Sequence, residues 1–113
     1  MESPNMLWQQ VQDSIKKEIE ENEEKIKEMT KTYLNNIREL VIDTIRSSYI
    51  DGPYNHVYVE FPDNSATRFI KNEVYRRVIL TLQEAGYDVK KFQESSLIVL
   101  WKLDCNNVTL NQM

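Results

Sequence analysis

Between Pro4 and Gly52 the chain contains neither glycine nor proline, so nothing in that span forces a helix to stop. Ser3 followed by Pro4 forms a helix start, because a serine hydroxyl can cap free amides and a proline lacks only an N–H that the first helical position does not use. Apolar residues recur at Trp8, Val11, Ile15, Ile19, Ile26, Met29, Tyr33, Ile37, Leu40 and Ile45, with Asn22 inside the stripe. Steps of three and four residues carry Trp8 to Thr44 in ten turns, the 3.6-residue period of a straight helix rather than the 3.5 of a left-handed coiled coil. Between Lys16 and Glu28 the outer faces are charged, with Lys17/Glu21, Glu21/Lys25 and Glu23/Lys27 at i,i+4 spacing. Asp51-Gly52-Pro53 closes the segment.

A helix over residues 4–49 measures about 70 Å at 1.5 Å per residue. A compact body built from the remaining residues is roughly 28 Å across. The rod therefore overhangs the body by several turns or folds back on itself, and the one place for a reversal is Asn35-Asn36, where two weak helix formers meet. We take the continuous helix as the expectation. Its last part, where the stripe widens to Leu40, Val41, Ile42 and Ile45, should pack on the body.

The body follows from residue 54. His56 to Phe61 alternates, placing Val57, Val59 and Phe61 on one face of a strand. Pro62 breaks it, and Asp63, Asn64 or Ser65 can cap a helix that buries Ala66, Phe69/Ile70, Val74, Val78, Leu82 and Ala85 before Gly86 stops it. Tyr87 to Gln93 reads as a second strand and Glu94-Ser95-Ser96 as a turn. Leu97 to Leu103 is apolar on both faces, which predicts a central strand covered on both sides. The expected fold class is α+β: a long N-terminal helix over 1–50, a split β-α-β module over 54–104 with a three-stranded antiparallel sheet in the order 1-3-2, and a polar tail over 105–113.

Composition narrows the function. A net charge of −4 argues against general affinity for nucleic acid, and residues 1–50 are the acidic part, with ten acids against seven bases. One cysteine, Cys105, and one histidine, His56, allow neither an internal disulfide nor a Cys/His zinc set. No apolar run is long enough to span a membrane and the first residues lack a signal-peptide pattern, so cytoplasmic synthesis is expected.

No residue set announces chemistry. His56 could act as a base, but no nucleophile motif accompanies it. With two glycines in all there is no phosphate-binding loop, and the acids from Glu18 to Glu28 are interleaved with lysine as on a solvated face. No cofactor or metal is expected. Arg68, Arg76, Arg77, Lys90 and Lys91, with Lys71 between them, form the basic concentration, a solubilising outer face or a contact for an acidic partner. The sheet is expected to lack the aromatic strand pair that stacks single-stranded bases. Trp101 reads as core, whereas Trp8, at the free end of the rod, needs a second surface to cover it.

Leu82-Gln-Glu-Ala-Gly86-Tyr87-Asp-Val89, followed after a short turn by Leu97-Ile98-Val99-Leu100-Trp101, resembles the helix-glycine-strand-strand ending of small uncharacterised proteins of large DNA viruses. The match covers about 20 residues, Leu82 to Trp101, and implies a virion or infection-phase protein without implying an activity. The expected function is that of a non-enzymatic structural or interaction protein, a minor virion or capsid component. It would dock on neighbouring subunits, or on its own copies, through Trp8, Val11, Ile15, Ile19 and Ile26. The alternative is a regulatory module that inhibits a nucleic-acid enzyme through its acidic arm. Direct nucleic-acid binding through Arg76, Arg77, Lys90 and Lys91 comes third.

Overall fold

The structure is a computed structural model and describes residues 1–51, 55–61, 67–93 and 95–102. Its elements are α1 (Pro4–Glu21), α2 (Glu23–Asp51), β1 (His56–Glu60), α3 (Arg68–Glu84), β2 (Asp88–Gln93) and β3 (Ser96–Leu100). The three strands form one antiparallel sheet in the order β1-β3-β2. The α+β class and the split β-α-β order expected from the pattern are those of the molecule.

α1 and α2 form one rod. Ser3 Oγ caps the first turn by accepting from the Met6 amide at 3.2 Å, with Pro4 behind it. At Asn22 the backbone departs from helical values, with φ −109 and ψ 19. The ladder nonetheless continues: the Asn22 amide donates to the Glu18 and Ile19 carbonyls at 3.2 Å each, and the Ile26 amide to Asn22 O at 2.9 Å. Asn22 Nδ2 also donates to Glu18 O at 2.8 Å, the local side-chain bond by which asparagine competes with a helix. The interruption lies at Asn22 and not at Asn35-Asn36, which sit inside α2 without a break. No reversal occurs, and the molecule is 73 Å in its longest dimension against 25 and 22 Å across.

The body rests on the middle of the rod. Ile26, Tyr33, Ile37 and Val41 of α2 are buried with Val57, Val59 and Phe61, with Ile70, Val74, Val78 and Leu82 of α3, and with Leu97, Val99 and Trp101. Phe61 is the joint between these parts: its ring meets Tyr33 edge-on at 4.6 Å and lies tilted against Tyr75 at 4.7 Å. The rod and the described part of the β-α-β module thus share one hydrophobic core. The widening at Leu40 to Ile45 is not its centre: Leu40 is exposed, while the contact reaches back to Ile19. The reason is the direction of α3, which packs along both α2 and α1 rather than across the end of the rod.

Thr67 caps α3, accepting from the Ile70 amide at 3.4 Å, and its hydroxyl donates to Glu18 Oε1 at 2.9 Å, fixing the start of α3 against α1. The earlier candidates Asp63, Asn64 and Ser65, with Ala66, lie outside the described residues, as do Gly52, Pro53, Glu94 and the tail from residue 103. Phe69 and Ala85, expected in the buried stripe of α3, are exposed. Gly86, with φ +98, takes the left-handed position that ends the helix and turns the chain into β2.

The sheet departs from expectation on one side. Val57, Val59, Leu97, Val99 and Trp101 face the helices, but among the described residues no element covers the opposite face of β3. There Ile98 and Leu100 are only half-buried. An apolar run reports that a strand is apolar on both faces, not that a second layer exists to cover it.

Candidate functional site

Two surfaces stand out, the tip of the rod and the open face of the sheet. At the tip, every residue from Met1 to Ser14 is exposed, including Met6 at 56%, Leu7 at 42%, Trp8 at 62% and Val11 at 54%. The helical part of this overhang, Pro4 to Ser14, is about 16 Å long. Its chemistry differs from the rest of the rod: from Pro4 to Ile15 the only charged residue is Asp13, whereas Lys16 to Glu28 carries ten charges in thirteen positions. Depletion of charge around large apolar side chains is the composition of the centre of a protein interface.

The five residues expected on the docking stripe divide. Trp8 and Val11 are exposed, Ile15 is half-buried, Ile19 packs against the core, and Ile26 is fully buried within it. Ile26 is therefore a core residue and unavailable to a partner, and the free stripe ends near Ile15. Leu7, beside Trp8 on the exposed tip, belongs to the surface and was missed because it lies one position off the 3.6-residue stripe.

The expected basic face is dispersed. Arg77 turns inward and joins the helices: Nη1 and Nη2 donate to the two carboxylate oxygens of Glu23 at 2.9 and 2.8 Å, and Nε to Glu73 Oε1 at 3.0 Å. Arg76 is held by Glu73 through Nε at 3.0 Å and through a second short contact from Nη2. The bond from Arg77 holds the Glu23 carboxyl below its ordinary value, and the bonds from Arg76 and then Arg77 do the same for Glu73. In return Glu73 raises Arg76, and Glu23 raises Arg77. Lys91 and Arg76 meet at a groove of about 410 Å³ between α3 and the sheet, floored by Phe61, Ile79 and Leu97. Lys90, paired with Ile98, is on the open face, and Arg68 is at the start of α3. No single surface collects these cations.

Three acids of the rod are likewise engaged. Glu23 serves Arg77 rather than Lys27, Glu18 accepts from Thr67, and Glu21 lies 3.9 Å from Lys17. Among the described residues no group of histidine, cysteine, aspartate and glutamate could hold a metal ion. His56 is exposed, and its Nδ1 lies 3.5 Å from Asn55 Oδ1.

The open sheet face carries an aromatic pair that the sequence reading did not expect. Tyr58 of β1 and Phe92 of β2 reach toward each other across β3, ring centroids 5.3 Å apart at 74°. Tyr58 Oη donates to Ser96 Oγ at 3.3 Å, which anchors the pair over the start of β3. The rings remain 44% and 56% exposed. Phe92 sits in a register shift between Lys91 and Gln93, an irregularity with no marker in the sequence. The rings stand edge to face and so do not form the flat platform on which bases stack.

No helix among the described residues is long and apolar enough to cross a membrane. No family model, curated protein or solved structure matches the chain.

Proposed function

We propose that the chain is a non-enzymatic interaction protein of an assembly, in the setting its viral resemblance implies a minor virion component, that docks on a neighbouring protein subunit through the tip of its helix. The observation that carries this reading is the charge-poor overhang with Leu7, Trp8 and Val11 in solvent. A membrane-surface helix would carry lysine and arginine on its polar face, and this tip has none before Lys16. A nucleic-acid contact would need the same cations. What remains is an apolar protein surface, for which a tryptophan anchor is the residue of choice.

The alternative, in which the acidic arm imitates a phosphate backbone, is less well supported, since Glu18, Glu21 and Glu23 are spent on Thr67, Lys17 and Arg77. Salt separates the two readings: docking through Trp8 and Val11 should be nearly insensitive to ionic strength, and mimicry should weaken steeply with it.

The test is the Trp8→Ala/Val11→Ala chain in its native assembly or against the isolated assembly partner. Truncated anchors at a packed interface cost about 2 kcal/mol each, so binding should fall by well over tenfold while the melting temperature stays unchanged. Binding that survives in this variant would refute docking by the tip.

A further inference from the structure

The open face of the sheet is a surface independent of the tip, and its pattern is self-complementary. Strand pairing sets His56, Leu100 and Asp88 in one row and Tyr58, Ile98 and Lys90 in the next. The centre of each row, on β3, is apolar. Of the flanking residues, His56 and Tyr58 stand on β1, and Asp88 and Lys90 stand on β2.

We infer that this face pairs with the same face of a second copy, about a two-fold axis parallel to β3. That rotation keeps each row level and exchanges β1 for β2. Ile98 then lies on Ile98 and Leu100 on Leu100 of the second copy, sealing the apolar strip the monomer leaves half-covered. His56 faces Asp88 of the second copy, where an imidazole N–H can donate to the carboxylate. Tyr58, its ring leaning over β3 against Phe92, stands in the row opposite Lys90 of the second copy, close enough for an ammonium to meet the ring's outer face. Each contact occurs twice. A two-fold axis across the strands sets Lys90 on Lys90 or Asp88 on Asp88 when it passes through a row; midway between the rows it sets Asp88 on Lys90 and His56 on Tyr58, an arrangement that His56→Glu would not weaken. Sheets stack face to face with their strands nearly aligned, as the axis parallel to β3 requires.

Single-stranded nucleic acid is the competing occupant of an aromatic sheet face. Glu60 and Asp88 on that face outnumber Lys90 and oppose phosphate, and the edge-on rings offer no stacking plane. Three strands of five or six residues present a patch of about 17 by 14 Å. This falls short of the roughly 800 Å² per partner of a standard interface, so the pairing is reversible and concentration-dependent.

Light scattering on the full chain carrying Trp8→Ala/Val11→Ala, from micromolar to millimolar concentration, tests the inference with the helix tip silenced. The mass should rise from 13.5 kDa toward twice that value. Adding His56→Glu, at an exposed position, sets glutamate against Asp88 and should weaken pairing by about tenfold or more. Adding Asp88→Lys to His56→Glu restores opposite charges across the axis and should restore pairing. A mass of 13.5 kDa throughout would overturn the inference, and so would pairing that ignores His56→Glu or is not rescued by Asp88→Lys. Since the tip is silent in every sample, failure here leaves the proposed docking by the tip untouched.

Discussion

The two parts of the rod carry the same stripe and meet different fates. From Ile19 to Ile45 the apolar stripe, Leu40 apart, packs with α3 and the sheet; at Trp8 and Val11 residues of the same periodicity stand in solvent. Periodicity establishes that a helix has an apolar face. Whether that face becomes core or contact surface depends on how far the rest of the fold reaches along it, and here the reach ends where Thr67 meets Glu18. The surroundings differ accordingly, ten charges between Lys16 and Glu28 against one between Pro4 and Ile15.

The strongest way to break this comparison is to truncate one apolar residue in each part. Ile26 has no exposed surface, and Ile26→Ala removes buried methylenes and leaves a cavity between the rod and α3. The cost is about 3 kcal/mol. For a chain of this size that lowers the melting temperature by more than about 10 °C. Trp8→Ala deletes a larger side chain and should leave melting nearly unchanged, because Trp8 is 62% exposed and lies outside the core. Thermal unfolding followed by circular dichroism compares the two directly. Comparable losses at Trp8 and Ile26 would mean that the tip packs on its own chain.

A smaller effect comes from the ionic joint between rod and body. Arg77→Met keeps the aliphatic stem but leaves Glu23 and Glu73 without their shared cation. At neutral pH the melting temperature should fall by a few degrees, since partly exposed pairs contribute little each. The pH dependence has a definite sign. Both carboxyls titrate below their ordinary value of 4.5 in the folded chain, so their contribution is complete above that pH and disappears as pH falls through the lower folded values. The gap between parent and variant should therefore narrow as the pH is taken below 4.5. A gap that persists unchanged in acid would assign the loss to the arginine stem and not to its charge.

How legible this was in the sequence depended on the kind of interaction. The rod, the strands and the sheet order could be read because each rests on local signals: the absence of breakers up to Gly52, the alternation at Val57 and Val59, and Gly86 at the end of α3. The register of α3 along the rod could not, because Ile26 and Trp8 share one period and only tertiary contact separates them. Arg77 looked like a member of a basic face, since its partner Glu23 lies 54 positions away in sequence. The Tyr58–Phe92 pair was missed for a related reason, as a register shift and two different strands bring the rings together. The apolar run around Ile98 was read as doubly covered, although its second face is roofed only in part by those rings.

The join between the two parts of the rod offers the finest test. Asn22 is the one residue between Pro4 and Asp51 outside helical assignment, and its Nδ2 bonds a carbonyl, Glu18 O, that already accepts from its own amide. The side-chain bond is thus redundant for the carbonyl, while the distorted backbone weakens the helix at that turn. Asn22→Ala removes the competing donor and gains helix propensity of about 0.6 kcal/mol. Asn35→Ala, at an exposed position inside α2 where the backbone is regular, gains the same propensity with no distortion to relieve. If the asparagine side chain causes the irregularity, Asn22→Ala should raise the melting temperature at least as much as Asn35→Ala does. If packing of the half-buried Asn22 against the body imposes it, the backbone will stay bent without its side-chain bond, and Asn22→Ala will melt lower than the parent while Asn35→Ala melts higher.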